Sequence, residues 1–205
     1  VDDMILRAPV AMKFALGENP KSCYNDRHET PTTRMATAAL IREELFKARE
    51  YLEKKDRAAA DEDADAPEFD LKLESLIPVI RGELPAHFHA HRADDIATAV
   101  RIAKEFDVKL TLEHCTEGHL APELLAAEGY PMAVGPSLTH ASKFELRNKT
   151  FETAAILAQH GQAPEKLVLS NLGKTFLPEG AVPQLEHQAG IDAAGIARAV
   201  QEART

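Results

Sequence analysis

From Pro85 onward the chain alternates short apolar runs with amphipathic stretches, and this alternation restricts the possible folds more than any other feature. Residues 86–91 read as a strand ahead of a helix carrying Ile96, Ala99, Val100, Ile102, Ala103 and Phe106. A strand over 109–115 precedes a helix around 120–128, and one over 132–134 precedes a loop and a helix over 151–160. A last strand over 166–170 leads into two weaker helical stretches, the second near 192–204. Strands that are each followed by a helix mark repeated βα units around a parallel sheet. They close into a (β/α) barrel or stay open as a doubly wound sheet. No Gly-rich phosphate turn follows the first strands, which disfavours an open cofactor-binding sheet. A full barrel takes about 250 residues. This chain has 205 and, with an apolar strand over 9–16, five legible strands. The expected fold is α/β, a partial barrel of parallel strands alternating with helices, in one domain over 1–205.

Before Pro85 the pattern is plainer. Gly17-Glu18-Asn19-Pro20 is turn chemistry, and the polar residues through Pro31 read as a long loop. Thr32 or Thr33 caps a helix built on Met35, Ala38, Ala39, Ile41, Leu45 and Leu52. Residues 54–67 hold alanines and charges, a solvated helix end running into a loop. A second helix is expected over 70–81, interrupted by Pro78.

Composition narrows the function classes. A formal net charge of −9, with no dense basic stripe, argues against a nucleic-acid surface. No window of 18 uncharged apolar residues exists, so no membrane span is expected. The N-terminus has neither the basic region nor the apolar run of a secretory signal. Two cysteines make no disulfide framework, and a cytoplasmic location is expected.

Five of the nine histidines fall between His87 and His119, so the chemistry is sought there. In a strand, residues two apart share a face, which aligns His87, His89 and His91. At the C-terminal end of a barrel strand those imidazoles sit at the mouth, where barrel active sites are built. A stiff strand end can hold neutral imidazoles about 2.0–2.1 Å from a metal ion; the competing reading is a polar strand end whose histidines bond to neighbours. His114 ends the next strand, and adjacent strands lie about 4.8 Å apart, so the two mouths coincide. Cys115 reads as a small buried apolar residue, with a soft ligand or a catalytic thiol as the functional alternatives. Lys13, inside an apolar strand, either reaches out to water or is carbamylated by carbon dioxide to bridge two metals.

Three segments together resemble the amidohydrolase superfamily, in its imidazolonepropionase-like branch. They are Val10-Ala11-Met12-Lys13-Phe14-Ala15-Leu16-Gly17-Glu18-Asn19-Pro20, His89-Ala90-His91-Arg92-Ala93-Asp94-Asp95-Ile96 and Leu112-Glu113-His114-Cys115-Thr116-Glu117-Gly118-His119. The resemblance covers residues 1–161 and leaves 162–205 as a divergent βα segment. It implies a TIM-like barrel with one or two divalent metals, zinc first, at its mouth. By position Lys13 matches the bridging lysine of the fourth strand. His89 matches the fifth-strand ligand, with His91 the alternative register, and His114 the sixth-strand ligand. Two parts of the family pattern are missing. No His-x-His precedes Lys13, and Leu167-Val168-Leu169-Ser170-Asn171 stands where a Thr-Asp-His strand end is expected. Asn171 occupies the place of the aspartate, and an asparagine cannot take a proton as a general base.

The leading expectation is a metal-dependent hydrolase of amide or cyclic amide C–N bonds, acting on a small-molecule substrate. His140 and Asn171 are its candidate catalytic residues. Arg92 and Arg147 are candidates to clamp a substrate carboxylate, against a reading as ordinary surface arginines. His140 stands in a loop and can equally be solvated. The rival expectation is a non-catalytic half-barrel that self-associates, with a structural metal or none. A fragment of a longer enzyme, a natural or engineered partial barrel and a chain assembled from pieces all fit the missing parts. An open parallel sheet should dimerise or cover its edges, and a homo-oligomer is expected.

Overall fold

A computed structural model describes residue 5 and residues 7–137, 141–162 and 180–204. The chain separates into two compact units, Val1–Gln162 and Ala163–Thr205. In the first unit, four strands pair in parallel in the order β1-β2-β3-β4. They are β1 (Met12–Ala15), β2 (Ala86–Ala90), β3 (Leu110–His114) and β4 (Met132–Val134). Between and after them lie α1 (Glu18–Asn25), α2 (Arg34–Ala60), α3 (Leu71–Ile80), α4 (Ala93–Phe106), α5 (Pro122–Glu128) and α6 (Thr153–Leu157). The result is an α/β fold consistent with a partial TIM-like barrel. The described part of the second unit holds two helices, α7 (Val182–Gln188) and α8 (Ala193–Arg204). The strand expected over 166–170 lies outside the described residues.

Register assigns each residue to a face. Phe14 pairs with Phe88 and Phe88 with Leu112, and this row is buried. Phe14 and Phe88 stack with ring centroids 4.8 Å apart. The same core takes in Leu45 and Ala48 of α2, Val79 of α3, Ile96 and Ile102 of α4, and Leu125 of α5. The alternate row, Lys13, His87, Thr111, Ala15, His89 and Glu113, forms the opposite, polar face. Burying the apolar row on the helices thereby directs the polar row to the opposite face of the sheet.

Thr33, one of the two threonines expected there, caps α2, and Asp70 caps α3. Thr33 Oγ1 accepts from the Ala36 amide at 3.1 Å to open α2, and Asp70 Oδ1 accepts from Lys72 and Leu73 to open α3. The helix is not interrupted at Pro78: α3 runs through it to Ile80, forgoing the one amide bond that residue 78 would make to residue 74.

Another expectation is corrected. Residues 18–25 form a helix rather than part of a long loop. Helix α1 buries none of its own residues, and its first amide is capped from far along the chain, by Glu145 Oε2 at 2.7 Å. No local pattern announces a cap of that kind.

Candidate metal centre

Three imidazoles meet at the C-terminal ends of β2 and β3. His89 comes from inside β2 and His91 from the residue just beyond it. Strict alternation would put His114 on the same side as Leu112. Its backbone, however, turns to φ 76° at the strand end, and Cys115 follows at φ 39°. That left-handed turn swings the imidazole over the mouth. The ring centroids then lie 4.7 Å (His89–His91), 4.6 Å (His89–His114) and 4.5 Å (His91–His114) apart. One nitrogen from each ring falls within 4.8 Å of the others.

Neighbours orient two of the rings. His114 Nδ1–H donates to the Gly135 carbonyl at 2.8 Å, and His91 Nδ1 bonds Thr116 Oγ1 at 2.7 Å. Both Nε2 atoms are left for the mouth, the arrangement that fixes tautomer and direction in metal-binding histidines. His89 Nε2 is buried and has no hydrogen-bond partner. Burial pushes His89 down to about 4, with the nearby His114 charge adding to it. Burial likewise pushes His91 down to about 3, helped by His89 and His114. Both are neutral at pH 7, the form in which imidazole binds a cation. Nitrogens bound to a tetrahedral zinc stand about 3.3 Å apart, so small side-chain rotations close the set around one ion. An orphaned His89 nitrogen and two further ring nitrogens within 4.8 Å of it fit a divalent metal.

The other candidate residues are placed differently. Lys13 Nζ is ion-paired with Glu113 Oε2, which His87 Nε2 also approaches at 3.2 Å. His87 Nδ1 bonds Thr111 Oγ1 at 2.7 Å, so His87 belongs to this polar row and not to the three-imidazole group. Arg92 is clamped by Asp94 through two bonds of 2.9 Å at the start of α4. Arg147 lies over the Phe144 ring at 4.4 Å. Cys115 is fully buried and its thiol is pushed up to about 12, which fits the small apolar reading. His140 and Asn171 lie outside the described residues.

Sequence reasoning missed the carboxylates around the triad. Glu145, in a polar string with no periodic signal, is fully buried beside His91, with Oε1 3.9 Å from His91 Nε2. Arg34 holds it at 3.2 Å and the buried Asp95 at 2.9 Å. Thr116 was visible only as part of the string that follows His114.

The chain is similar to an amidohydrolase from Thermotoga maritima MSB8 of known crystal structure, with 44% identity and a TM-score of 0.74. The match covers 78% of this chain and 42% of that one, so this chain spans less than half of that protein's length. No family model and no curated protein matches the chain. With the triad at the strand ends and identity well above the level of shared fold alone, the likeness supports placing this chain in the amidohydrolase superfamily.

Proposed function

We propose that the chain carries the metal-binding mouth of a hydrolase acting on amide or cyclic amide C–N bonds, in the imidazolonepropionase-like branch. The observation that carries this reading is the convergence of His89, His91 and His114, with their outer nitrogens held by Thr116 and Gly135 where those bonds form. Imidazole donors suit zinc. When bound, such an ion lowers the pKa of a water toward about 7 and polarises a substrate carbonyl. The chain's own residues orient the donors, keep His89 and His91 neutral, and line the approach with the Lys13–Glu113–His87 row. A carbamate on Lys13 would require that side chain to leave Glu113, whose charge would repel it. For Arg92 or Arg147 to clamp a small substrate's carboxylate, each must leave its present partner, Asp94 or the Phe144 ring. His140 is proposed as a hydrogen-bond donor to a substrate oxygen. Asn171 could orient a water but not deprotonate it.

Elemental analysis after zinc reconstitution tests the reading. Near-stoichiometric zinc is expected, and less than about a tenth of an equivalent overturns it.

A second reading draws on the sheet. The outer edges of β1 and β4 have no strand partner among the described residues, and such edges invite pairing with another chain. A zinc-loaded oligomer without hydrolase activity on amide and cyclic amide substrates would favour a non-catalytic, self-associating half-barrel. A monomer with hydrolase activity would eliminate it.

A further inference from the structure

Glu145 is buried at odds with its charge. Its side chain is 0% exposed. Oε2 accepts from the Glu18 amide at 2.7 Å and from Arg34 Nη2 at 3.2 Å, whereas Oε1 has no hydrogen-bond partner. Oε1 stands 3.9 Å from His91 Nε2 and 3.9 Å from Lys143 Nζ. The Lys143 ammonium is a third exposed and already donates to Asn19 Oδ1. A single guanidinium, Arg34, serves both Glu145 and Asp95, whose side chains are 0% and 4% exposed. Buried negative charge therefore exceeds buried positive charge, directly beside imidazoles that burial keeps neutral. Leaving an acceptor buried without a partner is costly, and a cation at the mouth would relieve that cost together with the orphaned His89 Nε2.

Resting on the reading that the three imidazoles hold a divalent cation, we propose that Glu145 Oε1 is the fourth protein donor to that cation. Oε1 stands 3.9 Å from His91 Nε2 but outside the set of nitrogens that lie within 4.8 Å of one another, so it reaches the ion only when the carboxylate turns about its anchored Oε2 toward the three imidazoles, donors on one tetrahedral ion standing about 3.3 Å apart. The reciprocal bonds between residues 18 and 145, the Glu145 amide reaching Glu18 Oε2 at 3.3 Å, keep that anchor in place. An ion held by three imidazoles and one carboxylate keeps a single positive charge and, when five-coordinate, one open position.

Calorimetric titration of zinc into the metal-free full chain and into Glu145→Gln tests the assignment, with circular dichroism establishing that both are folded. We expect about one zinc per chain and a Kd at least about tenfold weaker in the variant. A parent chain that takes up no zinc overturns the metal reading itself. A parent that binds zinc and a folded variant with a Kd within about twofold overturns only the role of Glu145. Should the variant not fold, a crystal structure of the zinc-loaded parent decides. Oε1 about 2.0–2.2 Å from the ion supports the assignment, and a separation beyond about 3 Å overturns it.

Discussion

At the residue scale the centre depends on three convergent imidazoles, two of them, His89 and His91, kept neutral by burial. Replacing His114 by Ala should weaken zinc binding at least about tenfold, read by competition with a chelating dye. His160→Ala should leave it unchanged, because His160 stands on an exposed turn, where it bonds the Ile156 carbonyl and approaches Glu123 at 3.6 Å rather than the triad. Equal affinities in both variants would make the triad structural. The second prediction concerns pH. Unfolded histidines titrate near about 6.5, whereas His89 is pushed down to about 4 and His91 to about 3 in the folded chain. Below that unfolded value the unfolded chain binds more protons than the folded one. The stability tied to these groups is complete above it and is lost as pH falls through about 4 and about 3. Urea midpoints of the metal-free protein should therefore fall over this window. The doubly substituted His89→Gln, His91→Gln chain should show a shallower decline, and an identical pH profile would contradict the burial argument.

At the element scale, the turn between β1 and α1 is the most constrained junction. Gly17 adopts φ 86°, and an added Cβ would lie 2.6 Å from Glu145 Oε2. Gly17→Ala should destabilise the fold by about 2 kcal/mol through backbone strain, and displace the carboxylate besides, as read by chemical denaturation. Thr33→Ala, which removes only the cap of α2, should cost about 1 kcal/mol and leave zinc affinity untouched. If the two variants proved equally harmless, the Gly17–Glu145 approach would carry no weight in the fold.

At the scale of the whole molecule, the parallel sheet ends at β1 and β4 among the described residues, while its apolar face is covered by helices. Among the described residues no helix is long and apolar enough to cross a membrane. Unpaired parallel edges are a pairing surface, so light scattering at micromolar concentration should give a mass above the 22.5 kDa of one chain. A strictly monomeric protein would mean that these edges are protected without a second copy. That outcome would leave the metal centre untouched, since its three imidazoles and Glu145 all come from one chain.

The strand–helix alternation after Pro85, the cap at Thr32 or Thr33, and the concentration of histidines at two strand ends were legible in the sequence. Each is local: a period of two or 3.6, a hydroxyl at a helix start, an imidazole before a turn. His89 and His91 could be placed together because alternation along one strand needs no knowledge of its neighbours. The tertiary structure decided the rest. It turned His114 through a left-handed backbone to meet them, made a helix of 18–25 by capping it from residue 145, and paired Lys13 with Glu113. It also buried Glu145 beside His91, 127 positions along the chain from the Glu18 amide that anchors it. Period and composition carry no signal of such contacts, because which distant groups meet is settled only when the apolar row of the sheet is buried and the polar row is brought to the mouth.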